Sequence, residues 1–282
     1  MSMNLNRTLP GSCEETRRRL FKGEVYLTSP TEASRILVEK VIEDLREGLK
    51  TQDIRRAHMA SSTDEFFHRM GRLRRHFYLE PAYHRRLREV AESCGFDRLG
   101  IAFDPIRIRV VLPGGHRNRL AAPVYFAHRD TWYSHPQSLI VWWIPLHDLR
   151  AEETFQFYPE EFERAVDNDS EGFDYSEWIK DGPELRIGWQ QKESGVRNTY
   201  PRADAGGCHG EGFSCRAAEM LLFSGSQFHQ TLEQDLGTIR FSLDFRVVHL
   251  DDLRSGAGAL NVDNRSRGDT TGDYIHPEKE GR

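Results

Sequence analysis

Apolar residues follow a helical period through the first hundred positions and a strand-like period from about residue 98 onward. The helical period predicts three helices: one opening at Ser29-Pro30-Thr31-Glu32, one over about 63–76, and one from Glu80-Pro81 to about Cys94. The first opening combines a capping serine, a proline suited to the first turn and the glutamate of a capping box. Residues 1 to about 28 have no clear period, which predicts a loose or partly paired arm.

Short β-rich runs separated by turn residues predict roughly eight strands after the helices. The runs are Leu99–Phe103, Ile106–Leu112, Pro123–Ala127, Leu139–Leu146, Thr154–Tyr158, Ser214–Ala217, Met220–Ser224 and Gly237–His249.

This order predicts an α+β protein with a mainly β core, a β-sandwich or jelly roll, and helices packed outside it. We expect one domain: an arm and helices over 1–97, a core over 98–253, and a mobile polar tail over 254–282. The stretch 159–213 is long for a structureless loop inside a core, which favours a functional lid.

Composition excludes several classes of function. The chain has 282 residues and a formal net charge of −5, which argues against a general polyanion-binding surface and a nucleic-acid partner. No apolar run approaches the roughly 20 residues needed to span a bilayer. The four cysteines show no CxxC spacing, and the first thirty residues lack a secretion signal, so we expect a cytoplasmic protein with reduced thiols.

The most informative stretch is Tyr125–Tyr133, which contains His128 and Asp130. On a strand, residues two apart point to the same side, so these side chains can chelate one ion. An imidazole with a carboxylate suits a divalent first-row metal, and a second histidine is expected from elsewhere in the chain. His229, just past the apolar run Met220–Ser224, is the best candidate. Two histidines and one carboxylate on one face of an octahedron are typical of non-haem Fe(II) oxygenases.

Three further residues extend this pattern. Arg240 follows His229 by eleven positions, so a short turn and a returning strand bring its guanidinium back beside the metal, where it can grip a carboxylate. Thr231 can add a hydroxyl to the same carboxylate. Arg246 shares strand parity with Arg240, and it either helps to bind co-substrate or substrate or forms a salt bridge with Asp244.

The pattern His128-x-Asp130, His229-x-Thr231 and Arg240 resembles the Fe(II)/2-oxoglutarate-dependent oxygenase superfamily, most closely its phytanoyl-CoA dioxygenase-like branch. The resemblance covers roughly residues 98–250. It implies a double-stranded β-helix, iron held by the two histidines and the aspartate, and 2-oxoglutarate whose C5 carboxylate contacts Arg240 and Thr231. The chain lacks the Pro-Gly-Ser-His motif that is often found near the distal histidine and has Ser224-Gly225-Ser226-Gln227-Phe228-His229 in its place.

The resemblance implies O2-dependent hydroxylation of a small molecule, or its oxidative cyclisation or desaturation, with release of succinate and CO2. Asp130 argues against a halogenase, in which a small residue replaces the carboxylate. We expect a small, polar substrate from secondary metabolism; the sequence specifies neither the oligomeric state nor the identity of the substrate. Two alternatives are a cupin-like isomerase or oxidase that does not use 2-oxoglutarate, and a non-catalytic β-sandwich that binds ligands.

Overall fold

A computed structural model describes residues 5–181, 200–206, 208, 210 and 212–277. The long helices, a six-stranded sheet and a two-stranded sheet form three layers. The predicted mixture of helices and a mainly β core is therefore confirmed. Of the helices in the described ranges, none combines the length and apolar composition that crossing a bilayer requires.

The large sheet runs in the order β1-β2-β6-β4-β8-β3 and is antiparallel except for the β1–β2 pair. The small sheet pairs β5 with β7. The strands are β1 (Leu5–Asn6), β2 (Val25–Thr28), β3 (Ile101–Val111), β4 (Ile140–Pro145), β5 (Phe155–Phe157), β6 (Met220–Ser224), β7 (His229–Thr231) and β8 (Arg240–His249).

The helices are α1 (Cys13–Leu20), α2 (Glu32–Leu49), α3 (Thr63–Leu79), α4 (Pro81–Ser93), α5 (Tyr175–Trp178) and α6 (Leu250–Ser255). The first four pack on one face of the large sheet, whereas Leu250 and Leu253 of α6 pack against the apolar cluster on the opposite face. Apolar residues of α2, α3 and α4 form one buried cluster with Trp142 and Phe245, whose rings stack 5.6 Å apart. On the opposite face, Trp143 packs against Phe155 of the small sheet at 5.3 Å. The adjacent tryptophans therefore face opposite layers, as period-2 alternation predicts.

Alternation along β8 separates the core from a polar pocket. Phe241, Leu243, Phe245 and Val247 enter the helix-facing cluster. The intervening positions, from Arg240 to Arg246, are also buried but polar. A strand that is apolar on one side and charged on the other, yet buried on both, indicates a functional surface between the sheets.

Several predicted boundaries were wrong. Pro123–Ala127 is not a strand: the chain forms a 3-10 helix over Arg119–Tyr125 before reaching His128. Ser214–Ala217 contributes only the single bridge Cys215↔Leu149. The two runs from 99 to 112 form one strand, β3, whose register shifts between Asp104 and Arg107, around a proline that cannot donate a ladder hydrogen bond.

The N-terminal arm and the tail are also more ordered than predicted. The arm contains α1, β1 and β2, and β2 pairs with β6 inside the large sheet. The first long helix is capped by Thr31 instead of Ser29, and Ser34 closes the reciprocal bonds of the capping box. The tail returns to the core, where Ile275 bridges Phe103. Of the predicted lid at 159–213, residues 182–199, 207, 209 and 211 lie outside the described residues.

Candidate metal centre and its pocket

Backbone pairing brings the two histidine stretches together. His128 N–H donates to the carbonyl of His229 at 3.0 Å, and His229 N–H donates to the carbonyl of His128 at 3.0 Å. Directly opposed residues of an antiparallel pair have their side chains on the same face. The imidazole centroids accordingly lie 4.5 Å apart. Asp130 begins a 3-10 turn two residues later, and ligand atoms of all three residues lie within 4.8 Å of one another.

The hydrogen bonds of the imidazoles leave their outer nitrogens available to a metal. Nδ1 of His128 lies 2.8 Å from the carbonyl oxygen of Phe126, and Nδ1 of His229 lies 3.0 Å from that of Gln227. A carbonyl can only accept, so each Nδ1 is the protonated nitrogen and each Nε2 of the neutral ring has a free lone pair. Metal-ligating histidines use this arrangement.

Arg246 orients the carboxylate of Asp130. Its Nε and Nη2 donate to the same oxygen, Oδ1, at 3.1 and 2.7 Å. The other oxygen, Oδ2, lies 3.7 Å from Nε2 of His229, close to the roughly 3 Å that separates neighbouring ligands of one ion. Arg246 also reaches Asp104 at 3.4 Å and Asp244 at 3.5 Å. The salt bridge weighed for Arg246 is present, and the same guanidinium holds Asp130 as a one-oxygen ligand.

The electrostatic environment favours the metal-binding protonation states. Burial lowers the pKa of His128 to about 4, and the neighbouring His229 adds to that effect. Burial likewise lowers the pKa of His229. Burial alone would raise the pKa of Asp130, but Arg246 and the two histidines outweigh it and hold that pKa well below its usual value. At neutral pH the group is two neutral imidazoles and one carboxylate, the forms that a metal ion needs.

Aromatic packing fixes the ring of His229. Its centroid lies 5.3 Å from that of Phe223, 5.7 Å from Phe155 and 6.0 Å from Phe157. These phenylalanines belong to both sheets, so closing the sheets over one another also sets the orientation of this ligand.

Arg240 has the environment expected of an anion-binding group. Its side chain is buried, and within the described part of the chain it forms no ion pair. Nη1 donates to the carbonyl of Thr154 at 3.2 Å, while Nε is buried without a hydrogen-bond partner. Two residues on, the buried hydroxyl of Ser242 also lacks a partner. Thr231 shares its strand face with His229 and lines the same cavity as Arg240. An unneutralised buried guanidinium indicates that a carboxylate or other anion belongs beside it.

A cavity of about 370 Å³ lies over the three candidate ligands, within the size range of small-molecule sites. His128, Asp130, His229, Arg240 and Thr231 all line it. The structure therefore brings together every residue that the sequence pattern singled out for the metal and the co-substrate.

Arg129, between His128 and Asp130, makes its contacts outside the cavity, with residues behind the candidate site. It is 1% exposed, donates to Asp263 at 3.1 Å, and also donates to the carbonyl oxygens of Glu161 and Arg164. Asp263 additionally accepts from Nε1 of Trp132 at 2.8 Å. Asp263 belongs to the tail that was predicted to be mobile. Its contacts with Arg129 and Trp132 hold the tail against the turn that contains Asp130, which the polar, Gly-rich composition of the tail did not indicate.

Comparisons with known proteins give structural likenesses only. No family model matches the sequence, and no curated protein matches it. The chain is similar to the epimerase SnoN in complex with Fe3+, alpha ketoglutarate and nogalamycin RO, with 14% identity over 93% of this chain and 98% of that chain and a TM-score of 0.43.

Two other solved structures are similar in the same way. The alpha ketoglutarate dependent carbocyclase SnoK from nogalamycin biosynthesis has 12% identity over 87% of this chain and 88% of that chain, with a TM-score of 0.40. The non-heme monooxygenase ThoJ in its apo form has 8% identity over 83% and 76%, with a TM-score of 0.45. Dependence on alpha ketoglutarate is said in these names of SnoK, and a bound alpha ketoglutarate of SnoN; for the present chain the superfamily and its phytanoyl-CoA dioxygenase-like branch both stay predictions. The function proposed below rests on the geometry of the site.

Proposed function

We propose that this protein is an Fe(II)- and 2-oxoglutarate-dependent oxygenase on a double-stranded β-helix core. It would hydroxylate a small molecule, or cyclise or desaturate it, and release succinate and CO2. The observation that carries the proposal is the pairing of a His-Asp-His group, in its metal-binding protonation states, with a buried guanidinium that lacks a counter-ion in the described ranges.

The donor set fits iron. Two imidazole nitrogens and one carboxylate oxygen on one side of an ion leave its remaining positions open, as in non-haem Fe(II) oxygenases. Arg246 donates two hydrogen bonds to Oδ1 of Asp130, which favours coordination of a metal through Oδ2 alone. A carboxylate that uses one oxygen leaves one more coordination position for other ligands. When bound, iron supplies the oxidising chemistry with O2.

The chain's own residues position the organic co-substrate. Arg240 offers a buried cation for its distal carboxylate, and the Thr231 hydroxyl lies along the same wall. Tyr125 and Phe155 line the same cavity, and Arg240 itself is buried. A charge-assisted hydrogen bond to a buried group is stronger than one in water, so a small diacid can be held in one orientation.

The proposal is tested by Fe(II)-dependent succinate release from 2-oxoglutarate under O2, measured with a library of small-molecule substrates. We expect His128→Ala to abolish both succinate release and the Ni(II)-induced rise in melting temperature. His68→Ala, at an exposed position on α3, is the matched control and should retain both. Purified wild-type protein that binds neither Fe(II) nor Ni(II) would end the proposal.

A cupin-like metalloenzyme without 2-oxoglutarate is the second candidate. It shares the metal site and differs at Arg240, so Arg240→Gln separates the two. We expect this variant to keep its Ni(II) affinity and to lose binding of 2-oxoglutarate by at least about tenfold, because a buried charge-assisted contact disappears. Unchanged 2-oxoglutarate affinity would favour the cupin-like enzyme. A non-catalytic binding protein predicts no thermal stabilisation by metal at all.

A further inference from the structure

We propose that the substrate is a flat aromatic molecule carrying one anionic group, and that Arg109 binds that group while an aromatic wall beside His128 stacks on the ring. This inference rests on the proposed function, and it replaces the small polar metabolite expected from the sequence with a specific class. Two independent features of the cavity support it.

The first feature is a continuous aromatic wall that starts at a metal ligand. The ring of Tyr133 lies 5.4 Å from that of His128 and 5.5 Å from that of Phe173. Phe173 lies 6.0 Å from Trp178, and Tyr133 lies 6.4 Å from Tyr200. All four aromatic residues line the cavity. Aromatic faces and edges at these spacings favour another planar ring laid against them over a saturated one of the same size.

The second feature is the guanidinium of Arg109. Its Nε and Nη2 donate to the two oxygens of Asp244 at 2.6 and 2.8 Å. These two hydrogen bonds fix the orientation of the Arg109 guanidinium. Its third nitrogen, Nη1, has no hydrogen-bond partner in the part of the chain that the structure describes. The side chain is 39% exposed and lines the cavity, whereas the side chain of Arg246 is 8% exposed. Arg109 therefore presents a rigidly held, open donor to whatever enters.

Arg109 lines the same cavity as the candidate ligands His128 and His229 and as Tyr133, at the start of the aromatic wall. An anion bound by Arg109 would hold a ring between that wall and the metal ligands.

The test uses four size-matched probes on Ni(II)-loaded protein with 2-oxoglutarate, where no turnover occurs: 2-naphthoate, 2-naphthamide, decahydro-2-naphthoate and 2-naphthyltrimethylammonium. Affinities are measured by isothermal titration calorimetry. We expect 2-naphthoate to bind tightest, the amide about tenfold or more weaker and the saturated acid about threefold or more weaker. The cation should not bind.

Arg109→Gln should remove the preference for naphthoate over naphthamide, and Trp178→Leu should reduce the preference for the flat acid over the saturated one. Arg117→Gln is the control, since Arg117 pairs with Asp235 at an exposed site outside the cavity. Arg109→Lys, which keeps the charge, should retain part of the preference, and thermal unfolding of each variant confirms folding.

The inference is overturned if naphthoate does not bind, if wild type binds acid and amide equally, or if Arg109→Gln retains the preference. Because binding is measured without turnover, its failure is distinct from that of the proposed function. Naphthoate binding together with absent Fe(II)-dependent succinate release would refute the oxygenase and leave the ligand class standing. Fe(II)-dependent succinate release without any of these binding preferences would support the oxygenase and refute the ligand class.

Discussion

Arg246→Met tests whether the guanidinium of Arg246 prepares Asp130 for metal binding. The variant removes two hydrogen bonds to Asp130, at 3.1 and 2.7 Å, and a longer one of 3.4 Å to Asp104. Asp104 keeps Arg107 and Asp244 keeps Arg109, so only Asp130 loses its cationic partner. The carboxylate of Asp130 would remain buried, and without the hydrogen bonds to Oδ1 it could rotate about the Cβ–Cγ bond.

The magnitude follows from that geometry. Removing one partner of a buried ion pair lowers the free energy of unfolding by about 3–5 kcal/mol. We expect the lower end of this range, because Asp104 and Asp244 remain paired with Arg107 and Arg109. Loss of a residue that orients a metal ligand lowers metal affinity by roughly 10–100-fold. Without Arg246, burial should raise the pKa of Asp130, so metal binding in mildly acidic solution should release more protons than it does in wild type.

The assay is calorimetric titration of the metal-free protein with Ni(II) in buffers of different ionisation enthalpy, combined with urea unfolding. Arg246→Lys is the matched control: it keeps the charge and loses the two-donor geometry, so its affinity should be intermediate and its proton release close to that of wild type. Ni(II) affinity of Arg246→Met within twofold of wild type, with no extra proton released, would refute the positioning role.

Three other outcomes are expected. Asp263→Asn should weaken Ni(II) binding about threefold or more by calorimetry, because the tail would lose its charged clamp on Arg129; unchanged affinity would make the clamp irrelevant to the site. The pKa of His128 is lowered to about 4 against 6.5 in an unfolded chain, so the unfolded chain binds more protons between these values, and the free energy of unfolding of metal-free protein should fall as pH drops through that window. Urea unfolding at pH 7 and 5 checks this, and equal stabilities would contradict it. Phe157→Ala should cost about 3–5 kcal/mol in urea unfolding, because a fully buried ring is removed from between the sheets; a loss under 1 kcal/mol would show that this packing is unimportant.

The sequence predicted the candidate site better than the fold around it. Ligand types at set spacings follow from chemistry, so His128, Asp130 and His229 were recognisable without knowing how the chain turns. The strand assumed before His128 was wrong, because apolar runs with proline fit a 3-10 helix as well as an edge strand. What brings the histidines together is a single backbone bridge, and short bridges have no periodic signal.

The supporting residues were harder to predict for a different reason. The spacing that associated Arg246 with Arg240 was correct, but which carboxylate it meets depends on the register of β3, β8 and the turn at Asp130. Asp263 belongs to a segment without periodicity, and its contact with Arg129 joins positions far apart in the chain. Such contacts are set by tertiary packing, and no local pattern in one sequence encodes them.

The mutual bridge between His128 and His229 has a consequence for when a metal ion could bind to the proposed site. The two residues are separated by roughly 100 positions, so the loop they close is entropically expensive to form. A nascent or partly unfolded chain would present the first histidine and aspartate without the second histidine. Metal binding at the proposed site should therefore come late, after the two sheets have packed together. The metal would stabilise the folded protein instead of nucleating its folding.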